Sequence, residues 1–150
     1  MALRLIVKEG DDILEKKCRP VEKFDEKLWK LLDDMADTMY AANGVGLAGP
    51  QVGVLRRICV IDVGDGLIEL VNPVITKTKG VQEKQEGCLS SPGKSGITRR
   101  PKKVTATFQD RNGEFYEITG EDLLAQALSH EIDHLDGILF KNHVIKWESR

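Results

Sequence analysis

Histidine is scarce in this 150-residue chain, three in all, and two of the three stand four residues apart in His130-Glu131-Ile132-Asp133-His134. On a helix that spacing separates the two side chains by about 40° around the axis, so both imidazoles point the same way and can grip one metal ion. Glu131 adjoins the first of them. It can reach a water on such an ion and act as a general acid/base. This is the chemistry of the H-E-x-x-H pattern, metal-assisted hydrolysis. Leu123, Ala127, His130 and His134 form one stripe of the helix, with Leu124, Leu128, Ile132 and Leu135 beside it. The histidines therefore face inward or into a cleft. His143 stands alone near the end of the chain and reads as a surface or packing residue.

A catalytic site of this kind needs a third protein ligand and one open position. Cys, His, Asp or Glu could supply the ligand. Cys59 lies in the apolar run RRICVIDV and reads as core; Cys18, between Lys17 and Arg19, reads as exposed and inert. Cys88 follows Glu86-Gly87 and precedes a turn at Ser91-Pro92-Gly93, where Gly87 permits close backbone approach. On its own a buried structural thiol would explain Cys88 better. The other unusual stretch is Gly44-Val45-Gly46-Leu47-Ala48-Gly49-Pro50-Gln51. It lacks the Gly-Lys-Ser/Thr ending of a phosphate loop and the G-x-G-x-x-G spacing of a dinucleotide site. It is either an ordinary connection with tight turns or a backbone that approaches a ligand, with Gln51 as a polar handle.

The elements that must position these residues can be sketched from periodicity. Leu28, Leu31, Leu32, Met35, Ala36 and Met39 recur at helical spacing, with Asp25 suited to the N-cap and Asn43-Gly44 to a left-handed stop. RRICVIDV is a strand. Leu67 to Val74 is another, closed by Asn72-Pro73. Lys103 to Gln109 and Phe115 to Thr119 flank Asp110-Arg111-Asn112-Gly113, a hairpin signal. The His-bearing helix is expected from about Gly120 to Leu135, with Thr119 and Asp122 in capping-box spacing and Gly137 after its end. Helix, strands, helix is the order of an α+β fold, and the length suits a single domain over residues 1–150.

Composition narrows the function classes. Charged residues are 31% of the chain and the net charge is -2, so no electrostatic case for nucleic-acid or membrane binding arises. The short basic clusters, Arg56-Arg57 and Arg99-Arg100 to Lys102-Lys103, read as solvated turn or edge residues. No apolar run approaches the roughly 20 residues of a membrane span. Met1 to Lys8 is too short and too charged for a signal peptide. Three irregularly spaced cysteines do not make a disulfide framework, which fits a reducing, cytoplasmic setting and leaves a mature organellar form open.

Taken together, GVGLAGPQ at 44–51, EGCLS at 86–90 and HEIDHLDG at 130–137 resemble the three ordered motifs of the peptide deformylase family. Gly49 departs from the alanine usual there, with slight extra loop freedom expected and no change of chemistry. The resemblance implies antiparallel β-sheets packed around a C-terminal metal-binding helix, with an N-terminal helix. It implies metal ligands Cys88, His130 and His134, Glu131 as general acid/base, and Gln51 with the backbone N–H of Leu89 as oxyanion donors. Gly46 and Gly87 would line the site, and Val45, Leu123 and Ala127 the methionine pocket. Glu86 would orient its loop through an arginine, with Arg100 the candidate. The implied reaction removes the formyl group from the N-terminal formyl-methionine of nascent polypeptides. The implied cofactor is one divalent ion, Fe²⁺, with Zn²⁺, Ni²⁺ or Co²⁺ as substitutes, and a transient ribosome contact is open. Two rivals share the residues: a zinc endopeptidase of the H-E-x-x-H type, and a non-enzymatic domain whose structural metal would need Cys18 or Cys59 as fourth ligand.

Overall fold

The computed structural model describes residues 2–148. Helix α1 (Glu26–Ala41) starts where Asp25 accepts a hydrogen bond from the Leu28 N–H at 3.2 Å. It stops where Asn43 turns left-handed at φ 58°. Both ends are the ones the sequence marks. Strands β1 (Gly46–Ala48), β2 (Ile58–Ile61) and β3 (Ile68–Lys79) follow, then β4 (Gln82–Gly87), β5 (Ser95–Arg100), β6 (Lys103–Gln109) and β7 (Phe115–Glu121). Helix α2 (Asp122–Leu135) carries the two histidines, and β8 (Val144–Glu148) follows it. The strands make a five-stranded sheet in the order β1-β2-β3-β6-β7 and a three-stranded sheet β4-β5-β8, with every pairing antiparallel.

The larger sheet lies between the two helices. Strand side chains alternate between faces. Ile58 and Val60 of β2, Leu47 of β1 and Val71 of β3 pack with Leu28, Leu32, Met35 and Met39 of α1. Cys59, Ile61, Ala48 and Leu70 pack the other way, with Ala125, Leu128 and Leu135 of α2. A strand covered on both faces must be apolar without alternation, which is why RRICVIDV reads as an unbroken run. Each such large side chain, fully buried, contributes roughly 1.5–3 kcal/mol. α2 also touches β5, so one helix sits against both sheets.

Four local expectations differ from the structure. α2 starts at Asp122, two residues later than its periodicity suggests. β7 stays paired with β6 as far as Glu121, and Thr119 bonds its partner Thr105 at 2.9 Å instead of capping. Asn72-Pro73 does not close β3, which continues through an irregularity between Val71 and Val74. There Asn72 (φ 52°) accepts from the Val21 N–H at 2.7 Å and donates to the carbonyl of Val21 and to Gln109. Cys18 is buried, 4% exposed, although Lys17 and Arg19 beside it are exposed. Its N–H donates to the Leu135 carbonyl at 2.8 Å. Burial pushes its thiol up to about 11, so it is inert through burial. The hairpin at Asp110–Gly113 forms as expected, closed by Asp110 N–H to the Glu114 carbonyl at 2.9 Å.

Candidate active site

β4 ends at Gly87, and the chain then turns through Ser91 N–H to the Cys88 carbonyl at 2.9 Å and a left-handed Gly93 (φ 79°). This turn holds Cys88 over α2, where His130 and His134 project from one face. One donor atom from each of Cys88, His130 and His134 lies within 4.8 Å of the other two. Cys88 Sγ is 3.3 Å from His134 Nε2. Ligand bonds of about 2.3 Å to sulfur and 2.0 Å to nitrogen at a tetrahedral angle would set those atoms about 3.5 Å apart. Two imidazoles and a thiol at these separations fit a divalent ion such as iron, zinc, nickel or cobalt. Cys59 is fully buried, and neither it nor Cys18 belongs to the group.

Behind His130 stands Glu86, which is 6% exposed. Its Oε2 lies 2.6 Å from His130 Nδ1 and accepts from Arg100 Nη2 at 2.7 Å. Its Oε1 accepts from Thr98 Oγ1 (2.8 Å), Arg100 Nε (3.1 Å) and Gln126 Nε2 (3.2 Å). Burial alone would raise this carboxyl. The hydrogen bonds from His130 and Arg100 outweigh it and hold Glu86 well below the usual carboxylate range. Occupying Nδ1 leaves His130 Nε2 for a ligand, the usual outer-partner arrangement of metal-binding histidines. The Glu86–Arg100 partnership is the expected one. Arg100 itself corrects the sequence reading: it is no solvated edge residue but 3% exposed, with its Nη1 donating to Asp133 Oδ2 at 2.6 Å. His143 Nε2 lies 3.1 Å from the same Asp133 oxygen without aligned hydrogen-bond geometry, a half-buried packing residue.

On the other side of His130, Glu131 is 4% exposed, and its Oε1 has no partner among the described residues. Burial pushes its carboxyl up to about 7, against the neighbouring His130 and with the help of Glu86. Gly46 passes directly beside it, and a Cβ there would run into the Glu131 carboxylate. Gln51, 1% exposed, is fixed from both ends of its amide. Its Oε1 accepts from the Ala48 N–H at 2.9 Å, and its Nε2 points at Ser90 Oγ (3.1 Å) and Cys88 Sγ (3.5 Å).

A cleft of about 440 Å³ opens over these groups, and Val45, Gly46, Gln51, Gly87, Leu89 and Glu131 are among its lining. Leu123, Ala127, Cys88 and His130 line it too. His134 lies beneath, 1% exposed. Val45 and Leu123 form its outer apolar edge at 44% and 47% exposure. Gly87 is not needed for close approach: a Cβ there would rest at an ordinary 3.5 Å from the Lys94 carbonyl. Sequence reasoning missed Gln126, Thr98 and Ser90. Gln126 had a signal, since it lies one helical turn before His130. Thr98 had none, because only the β4–β5 pairing brings it to Glu86.

The sequence matches the family described as polypeptide deformylase over residues 3–150. The chain belongs to the polypeptide deformylase family. Peptide deformylases of Acetivibrio thermocellus and Caldicellulosiruptor bescii are each 57% identical to it. They align over 147 and 149 residues, covering 98% and 99% of this chain and 86% and 90% of theirs. Among solved structures, a peptide deformylase from Legionella pneumophila superposes with a TM-score of 0.93 at 49% identity, covering 95% of this chain and 86% of that one. That of Thermotoga maritima gives 0.94 at 39% identity, covering 96% and 99%. The deformylase fold thus carries this chain's cleft, and no endopeptidase feature is needed to account for it.

Proposed function

We infer that the chain removes the formyl group from the N-terminal formyl-methionine of newly made polypeptides and releases formate. One observation carries the reading: in a chain matched to the deformylases from residue 3 to 150, Cys88, His130 and His134 converge beside a buried carboxyl, Glu131. A divalent ion held by those three donors would supply a Lewis acid that makes water nucleophilic near neutral pH. The native ion is Fe²⁺ in this reading, with Zn²⁺, Ni²⁺ or Co²⁺ able to replace it.

The chain's own residues do the rest. Glu131 takes the proton of the attacking water and returns it to the leaving amine. A carboxyl with one oxygen free of partners among the described residues can make both transfers. Gln51 Nε2 and the Leu89 N–H donate to the oxygen as it gains charge, and one such donor is typically worth about 3 kcal/mol. Glu86 holds His130 through Nδ1, which would leave Nε2 to bind an ion. Val45, Leu123 and Ala127 receive the methionine side chain, while Gly46, having no Cβ, leaves room for the Glu131 carboxylate and Gly87 lines the cleft. Among the described residues no helix is long and apolar enough to cross a membrane. The cytoplasm, with a transient encounter at the ribosome, is where such a substrate would be met.

The test is formate release from a formyl-methionyl peptide by protein purified without oxygen, beside the same peptide with a free amine. Formate from the first with the second left intact is expected. Internal cleavage of the unblocked peptide would instead indicate an endopeptidase.

A further inference from the structure

The residues before the first helix are tied to the floor of the cleft. The Val7 N–H donates to the Gln51 carbonyl at 2.7 Å, and the Glu9 N–H donates to the Ser90 carbonyl at 2.7 Å. Gln51 and Ser90 are themselves joined, side chain to side chain, at 3.1 Å. Three hydrogen bonds therefore close a circuit through the N-terminal arm, the glycine-rich loop and the turn after Cys88.

The Glu9 side chain adds a second layer. Its Oε2 accepts from Ser91 Oγ at 3.1 Å and from Lys94 Nζ at 3.1 Å, and Lys141 Nζ lies 3.7 Å from its Oε1. Ser91 and Lys94 stand at opposite ends of the bend that also carries the left-handed Gly93. The Lys94 N–H to Ser91 carbonyl bond at 3.2 Å closes the bend, and the carboxylate adds a side-chain tie from Ser91 Oγ to Lys94 Nζ across it. Cys88 and Leu89 lead directly into it. An exposed ion pair alone contributes little. Glu9, however, is only 22% exposed at its side chain, and it grips the bend through backbone, hydroxyl and ammonium together.

We propose that Glu9 is a positioning residue for the reaction: by clamping the Ser91–Lys94 bend it holds the Cys88 thiol and the Leu89 N–H in register with Gln51. The proposal rests on the functional reading above, and its test separates the two. In Glu9→Ala the bend keeps its own backbone bonds and the Glu9 N–H bond to Ser90 but loses the side-chain tie across it. We expect kcat for formyl-methionyl peptide to fall about fivefold with KM within about twofold, because the donors lost to misplacement act in the transition state. Zn²⁺-loaded protein challenged with excess EDTA should lose its metal about fivefold faster, since Cys88 rides on the bend. Glu9→Gln keeps an acceptor for Ser91 and should restore most of both. A merely structural role would lower Tm and leave kcat and Zn²⁺ loss unchanged. Wild-type kcat and wild-type Zn²⁺ loss in folded Glu9→Ala would overturn the clamp. If Glu9→Ala does not fold, Glu9→Gln decides: a small shift of both quantities in the same direction supports the clamp, and none overturns it. Should the unsubstituted protein release no formate while Zn²⁺ loss still accelerates in Glu9→Ala, the clamp stands and deformylation falls.

Discussion

His130 lies between two carboxylates that are equally hidden from water and oppositely treated. Glu86, 6% exposed, has both oxygens occupied by Thr98, Arg100, Gln126 and His130. Glu131, 4% exposed, keeps Oε1 without a partner among the described residues. The first is held well below the usual carboxylate range and the second is pushed up to about 7. Burial raises both carboxyls, and only at Glu86 do hydrogen bonds and neighbouring charges reverse it. A buried carboxyl surrounded by donors becomes a permanent anion that orients its neighbours, whereas one left without them becomes a group that can take and return a proton.

The sharpest way to break this contrast is Glu131→Gln, which keeps the shape and removes the proton site. Formate release should fall by about 10³ with metal content unchanged, measured by turnover and by metal analysis of the same sample. Turnover within tenfold of the unsubstituted protein would make the two carboxylates alike. Glu86→Ala attacks the other side. It leaves Arg100 buried without its main partner, at a cost of about 3 kcal/mol in denaturant melts. It also frees His130 Nδ1, so metal competition should show about 10-fold to 100-fold weaker binding. A variant that melts and binds as before would mean the network only fills space.

The smallest effect lies in the pH dependence of the metal-free protein. Glu131 has a folded value raised from the ordinary 4.5 to about 7. Its contribution is therefore complete below 4.5 and lost as pH rises through about 7. Glu86 is depressed from the same ordinary value, so its contribution is present above that value and is lost only on acidification below it. Between roughly pH 5 and pH 8 metal-free Glu131→Gln should gain on the unsubstituted protein by a few degrees in Tm as pH rises. A gap that stays constant with pH would contradict the raised carboxyl.

Much of this arrangement was legible in the chain because it is local. His130 and His134 share a helix face by spacing alone, and Asp25 and Asn43 mark the ends of α1 through their own short side chains. What failed was decided at a distance. Cys18 looks exposed between two charged neighbours, yet it is covered where the chain meets the end of α2. Gly120 looks helical until its pairing with Val104 is known. Arg100 looks like one of a solvated basic run, although partners 14 and 33 residues away draw it inside. The turn after Cys88 belongs with these: its sequence suggests a break in a strand, but the hold of Glu9 on it comes from 82 and 85 residues earlier.

Cys88 and His134 are 46 residues apart in sequence and lie on different parts of the fold, the end of the three-stranded sheet and the helix packed on the five-stranded one. An ion gripped by both would be a removable crosslink closing a loop of that length, and closing such a loop takes conformational freedom from the unfolded chain much as a disulfide does. Chelation would then loosen the seam between the smaller sheet and α2, which Glu86–His130 and Arg100–Asp133 still bridge. Backbone amides of β4, β5 and β8 should exchange with solvent sooner than those of β2 and β3, which stay pinned between the two helices.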